Sequence, residues 1–186
     1  MTPFTLLQSW LDARLSSPAR TWFVAAAAKA VAGMTDRDFY LLMSQVSRHV
    51  DKRPLALGHD EAGAALAARP GWDPRDWTLD QAARIFLLGT STESGEQAAQ
   101  RLDRLCAAAD VGELIAYYRG LPLYPDPPRH RLRAAEGVRS NMQTVFEAVA
   151  HRNPYPAESF DDAAWNQMVL KLSLIHISEP TRRTPI

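Results

Sequence analysis

Apolar residues recur at helical intervals along nearly the whole chain. Phe4, Leu7, Leu11 and Leu15 fall three and four apart, on one face of a first helix. Ser17-Pro18 supplies a cap and a first-turn proline for a second helix over residues 18–32, which carries Trp22, Phe23 and an alanine-rich face and ends at Gly33. Thr35 and Asp38 resemble a capping box before the stripe Phe39, Leu42, Met43, Val46 and Val50, which Lys52-Arg53-Pro54 stops. Residues 54–77 are the least regular, with Gly58, Gly63, Pro70, Gly71 and Pro74, and admit one short helix over residues 60–69. Thr78 caps the next helix, to Leu88, with Asp80 and Arg84 spaced for an i, i+4 pair. Residues 96–109 follow with Leu102, Leu105 and Cys106 inward, and Asp110 with Glu113 marks another capping box before Leu114, Ile115 and Tyr118.

The proline-dense stretch 121–129 (Pro122, Pro125, Pro127, Pro128) predicts an extended, stiff connector. A long helix is expected over residues 131–152, with Val138, Met142, Val145, Phe146 and Val149 on one face, broken by Asn153-Pro154-Tyr155-Pro156. Ser159 and Asp162 can cap a last helix carrying Trp165, Met168 and Val169. Alternation of period two is not convincing anywhere. The pattern therefore predicts an all-α fold of about seven to eight helices, in antiparallel pairs packed as a helical bundle or a short α-α stack.

Composition narrows the class. With 186 residues, 46% of them hydrophobic and 23% charged, the chain can bury one domain-sized core. Its 21 basic and 21 acidic residues balance, which argues against a nucleic-acid binder. The lone Cys106 excludes a disulfide framework and a cysteine-rich zinc site. The longest apolar run, from Trp22 to Ala28, is far short of the roughly 20 residues of a spanning helix, and the N-terminus lacks a basic n-region. The expectation is a cytoplasmic protein without a transmembrane segment, which leaves peripheral membrane association open.

Beyond Lys171 the composition changes. Residues 1–171 contain 29 Ala and two Ile, whereas residues 172–186 contain no Ala and three Ile. The string from Leu172 to Arg182, LSLIHISEPTR, resembles the translation of a transposon-end adapter used to prepare DNA for sequencing. The expected organisation is a single helical domain over residues 1–171, truncated at its C-terminus, and a non-native tail over residues 172–186. That tail should extend the last helix by at most a turn and should not bury Ile175, Ile177 and Ile186 together.

Catalytic signatures are missing. The chain has no phosphate-binding glycine loop, no His-Glu-x-x-His, no paired cysteines and no nucleophile elbow, so no catalytic residue, metal ligand or cofactor is assigned. His49 and His151 read as helix-end residues, His59 and His130 have no helpful neighbour at helical spacing, and Cys106 reads as a small core hydrophobe. The polar residues that stand out surround the Asn-Pro-Tyr-Pro corner: Arg139, Asn141, Asn153, Tyr155, Asp161, Asp162, Asn166 and Lys171. Two readings fit them. In one, Asn141 and Asn166 bond the backbone of residues 153–156, the prolines hold Tyr155 extended, and the group is a clamp between helices. In the other, the group lines a ligand or partner surface, with Arg139, Tyr155 and Lys171 exposed.

The same region is recognisable. RAAEGVRSNM from Arg133, then Asn153-Pro154-Tyr155-Pro156, then FDDAAWNQMVLK from Phe160 to Lys171 resemble the EboA family. Looser similarity extends through the N-terminal two thirds, including Asp80-Gln81-Ala82-Ala83-Arg84. The resemblance implies a bacterial accessory protein of an operon for secondary-metabolite processing and traffic toward the periplasm or envelope. Its neighbours there resemble a prenyltransferase, sugar-phosphate and isomerase-like enzymes, and metal-dependent hydrolases. The implied partners are proteins of that operon or a small metabolite, with no nucleic acid. A non-catalytic binding role is thus expected. The alternative is a pathway enzyme with Asp161 or Asp162 as acid/base and Arg139 or Lys171 holding an anionic group.

Overall fold

The computed structural model describes the backbone of residues 1–91 and 94–178 and the side chains through residue 174, except residues 92 and 93. Among the described residues there are eleven α-helices and no named strand: α1 Pro3–Arg14, α2 Ser17–Val31, α3 Asp36–His49, α4 His59–Ala68, α5 Leu79–Thr90, α6 Gly95–Ala108, α7 Val111–Arg119, α8 Arg131–Arg139, α9 Gln143–Ala150, α10 Tyr155–Ser159 and α11 Asp162–Ser178. The predicted class is right and the predicted count too low. The short α4 and α10 form complete elements, and the long helix expected over residues 131–152 is two helices.

That break falls at residues 140–142. Ser140 and Asn141 are weak helix formers, and the Ser140 hydroxyl accepts from the Met142 N–H at 3.2 Å, a local bond that competes with helix continuation. The chain doubles back, so α8 packs against α9 instead of extending it. Gly137 sits in the contact, where an added Cβ would stand 2.8 Å from both Tyr118 Cε1 and Val149 Cγ2.

At the centre lies α5. Every residue from Leu79 to Leu88 is buried, and α1, α2, α3, α6 and α7 all pack on it. Phe4 from α1 and Phe23 from α2 meet the Phe86 ring edge-on, at 6.1 and 5.3 Å between centroids. Arg84 does not pair with Asp80, as its spacing suggested. Its guanidinium reaches Glu113 on α7 at 2.9 Å and donates to the Met43 carbonyl on α3 at 2.9 Å, while Asp80 accepts from the Thr78 hydroxyl. A helix with no solvent-facing side gains nothing from surface pairs, so its charge seeks partners on neighbouring helices. The second half builds outward: α9 packs on α7, α8 and α10 pack on α9, and α11 packs on α8.

The connector after α7 is compact, not extended. Leu121–Leu123 and Pro127–His130 form two 3-10 turns, and Leu121 to Tyr124 are buried. Proline's fixed φ suits the first positions of such turns as well as it suits an extended chain, and burial of the leucines decides between them. His130 closes this segment, with Nε2 2.9 Å from the Pro125 carbonyl and Nδ1 buried without a partner. At the other end, α11 continues through Ser178, about two turns past Lys171 and further than expected, because no proline occurs before Pro180. Leu172 packs partly buried against the core. The side chains of Ile175 and Ile177, and the whole of residue 186, lie outside the described residues.

Two outcomes follow from these contacts. Gly137→Ala gains helix propensity but forces a methyl between two buried side chains, so urea melts should show a net loss of about 1–3 kcal/mol. Burial lowers the His130 pKa from its usual 6.5, so the folded state favours the neutral ring. The unfolded chain then binds the proton more readily. This contribution to stability is complete above the unfolded pKa and is lost as pH falls through the depressed folded one. Denaturation midpoints should therefore drop on acidification below about pH 6.5, and less so in His130→Gln.

Candidate functional site

The Asn-Pro-Tyr-Pro corner begins where α9 ends. Arg152 takes a left-handed conformation (φ 52°) that turns the chain, and Asn153 then bonds in three directions. Its Nδ2 donates to the Tyr118 and Ala148 carbonyls, both at 3.0 Å, and its Oδ1 accepts from the Tyr155 N–H at 3.0 Å. One amide thus ties α7, α9 and the start of α10. Tyr155 is the first residue of α10, not an extended one, because its N–H is met by the Asn153 side chain and a proline in the first turn suits a helix start. The Tyr155 ring is fully buried. Its hydroxyl donates to the Pro127 carbonyl at 2.5 Å, and burial pushes its pKa up to about 12.

Lys171 reaches back from α11 to the end of α8, donating to the Val138 carbonyl at 2.8 Å and to the Ser140 carbonyl, with its ammonium 5.3 Å from the Phe146 ring centroid. A cation there satisfies carbonyls that the helix end leaves open and meets the negative end of the dipole. Burial lowers the Lys171 pKa. Asp161 accepts from the Ala164 N–H at 2.8 Å, capping α11. Arg139, Asn141, Asp162 and Asn166 are exposed. The corner therefore gathers Asn153 and Tyr155, with Lys171 bridging α11 to α8, and leaves the other residues on the outside. Asn141 and Asn166 make no bond to residues 153–156; Asn153 does that work.

Beside the corner is a small polar recess of about 80 Å³, lined by Asp73, Asp76, Arg119, Arg152 and Asn153 among others. Arg152 pairs with Asp76, and Arg119 donates to the Asp76 carbonyl at 2.8 Å. The recess is too small for a metabolite, whose pockets run to about 300–1,000 Å³.

A larger space opens elsewhere. Helices α3, α6 and α7 frame a cleft of about 430 Å³. Tyr40, Met43 and Ser44 line it from α3, and Arg104, Leu105 and Ala108 from α6. Glu113 and Tyr117 close it from α7. The walls are mainly aromatic and aliphatic. Glu113 is held from behind by Arg84, whose side chain is 2% exposed. Its other oxygen accepts from the Asp110 N–H at 3.2 Å in the capping box. Burial raises the Tyr117 pKa, so its hydroxyl stays neutral. The Tyr40 hydroxyl oxygen and Arg84 Nε are buried without a hydrogen-bond partner. Arg104 stands at the rim with its side chain 63% exposed.

Burial pushes the Cys106 thiol up to about 12, and among the described residues no group of three or more His, Cys, Asp or Glu could hold a metal ion. None of the described helices is long and apolar enough to cross a membrane.

Nearly the whole chain, rather than the corner alone, matches a known family. Residues 4–181 fit the family described as "Metabolite traffic protein EboA". The chain belongs to the EboA family. Comparison with curated proteins and with solved structures returns no match. The family match reaches ten residues past Lys171, into the segment whose composition differs.

The cleft of this EboA-family chain escapes sequence reading because each of its walls looks like ordinary helix. Met43 belongs to the α3 core stripe, Tyr40 and Ser44 flank it, and Glu113 and Tyr117 are i, i+4 on α7. Only the packing of three helices brings them together. The one local signal is Tyr40 with Ser44, also i, i+4, beside a stripe already complete without them.

The corner's role can be measured by replacing its asparagines one at a time. Asn153→Ala strands two carbonyls and one N–H and should lower stability by about 1–3 kcal/mol in urea melts. Asn141→Ala and Asn166→Ala should stay within about 0.5 kcal/mol of the parent.

Proposed function

We propose that this protein is a non-catalytic accessory of metabolite traffic that holds a small, largely apolar molecule in the cleft between α3, α6 and α7. The observation that carries this reading is the cleft itself, which at about 430 Å³ falls within the size range of ligand sites. Family membership supplies the context of metabolite traffic. In that context the protein works in the bacterial cytoplasm, alongside other proteins of a secondary-metabolite operon, and passes its ligand on toward the periplasm or envelope.

Support for a binding role over catalysis comes from the corner. Its buried polar atoms are consumed by main-chain bonds, Asp161 caps a helix, and neither Asp161 nor Asp162 lines a described cavity. General acid–base work needs a carboxyl within hydrogen-bond reach of a bound substrate, and the recess beside the corner is only about 80 Å³. Its exposed residues Arg139, Asn141, Asp162 and Asn166 suit contact with a partner protein instead.

Ala108 is exposed on the cleft wall, so a large side chain there fills the space without entering the core. The neutral fluorophore N-phenyl-1-naphthylamine should bind the parent protein and lose about tenfold or more in affinity with Ala108→Trp, at an unchanged melting midpoint. In cells carrying the rest of the pathway, the same substitution should lower metabolite export at equal protein level. Undiminished binding and export in a folded Ala108→Trp protein would overturn the reading.

A further inference from the structure

The rim of the cleft has a charge imbalance. Asp36, at the start of α3, is the acidic partner of two arginines: Arg101 Nε at 2.9 Å and Arg104 Nη1 at 3.1 Å. The two are not equal claimants. Arg101 is buried, 1% exposed, lies 4.6 Å over the Phe39 ring, and also donates to the Ser91 carbonyl at 2.6 Å and the Met34 carbonyl at 2.8 Å. A buried guanidinium cannot give up its only carboxylate without a large desolvation penalty, so Asp36 belongs first to Arg101. Arg104 is left with one shared contact and an exposed guanidinium whose remaining N–H groups point to solvent or to whatever enters the cleft.

The opposite wall does not cancel this charge. Glu113 is paired with Arg84, and one of its oxygens is also engaged by the capping box. In the ion pairs that frame the cleft, three arginines (Arg84, Arg101 and Arg104) share two carboxylates, Glu113 and Asp36. Inside the cleft Met43, Leu105 and Tyr117 carry no charge, and among the described residues the one ionised lining group besides Arg104 is Glu113, already paired with Arg84.

From this arrangement we infer that the cleft takes an amphipathic anion, its apolar body between α3, α6 and α7 and its carboxylate, sulfonate or phosphate at Arg104 on the rim. The inference rests on the cleft being the binding site proposed above. Arginine suits the task because its fork of donors meets an anionic group in two places while the rest of the guanidinium stays hydrated. The half-exposed position matters as well. An anion at the rim keeps part of its water shell, so it gains the attraction without the full cost of burial.

Two fluorophores that share a ring system separate charge from shape: 8-anilinonaphthalene-1-sulfonate, and N-phenyl-1-naphthylamine, which lacks the sulfonate. With the full chain, Arg104→Gln should weaken the sulfonate about five- to tenfold and shift the neutral probe by less than about twofold. Arg104→Lys should restore most of the sulfonate affinity, and raised salt should erase the difference between the parent and Arg104→Gln. Equal losses for both probes, or no loss for the sulfonate, would overturn the charge assignment while leaving the cleft as a binding site. If Ala108→Trp leaves the binding of both probes intact in a folded protein, the cleft reading itself fails and takes this inference with it.

Discussion

A helix buried along its whole length must find partners for every polar side chain it carries, and α5 carries Asp80, Gln81 and Arg84 within its buried run. The rest of the structure follows from how they are met. Arg84 reaches Glu113 on α7 and the Met43 carbonyl on α3. Gln81 accepts from Arg119 at the end of α7 at 2.7 Å. These bonds fix α3 and α7 in register on one side of α5, while apolar contacts with α1 and α2 leave the other side to shape alone. Such a buried pair adds little net stability over an apolar substitute, yet losing one partner is costly, so its main effect is to specify the arrangement.

That specification also makes the cleft. Helices α3 and α7 are pinned to α5 by Arg84, and α6 is tied to the start of α3 by Arg101 and Arg104 on Asp36. Three helices held by these charged bonds, with Tyr40, Leu105 and Tyr117 between them, leave a space that side chains do not fill. Glu113 belongs to both features, bonding Arg84 behind it and lining the cleft in front. The corner solves a different problem. Asn153, Tyr155 and Lys171 spend their polar atoms joining α7 through α11, so the second half of the chain is held by side chain-to-backbone bonds rather than by a central buried helix.

Helix positions were legible in the sequence wherever a stripe and a cap coincided. Thr35 and Asp110 cap α3 and α7 as their spacing indicates, because capping is local chemistry. Legibility failed where tertiary contact outweighs local preference. The apolar stripe over residues 138–149 continues across the break, so nothing in its period marks Ser140 as the place where α8 folds back on α9. The prolines of residues 121–129 fit extended chain and 3-10 turns alike, and burial of Leu121 and Leu123 chose the turns. Asparagines near the corner were recognisable as hydrogen-bonding residues, but periodicity could not tell the bonded Asn153 from the exposed Asn141 and Asn166. The cleft was illegible for a related reason: its walls come from three helices, and its charge imbalance depends on Asp36 meeting an arginine 65 positions away.

Amide chemical shifts separate a structural corner from a binding cleft residue by residue. In a ¹⁵N-labelled sample of the full chain titrated with N-phenyl-1-naphthylamine, perturbations should concentrate at Tyr40 to Ser44, Arg104 to Ala108 and Glu113 to Tyr117, with Arg139 to Lys171 unmoved. Perturbations centred on Asn153, Tyr155 and Lys171, with the cleft unmoved, would contradict that division of roles.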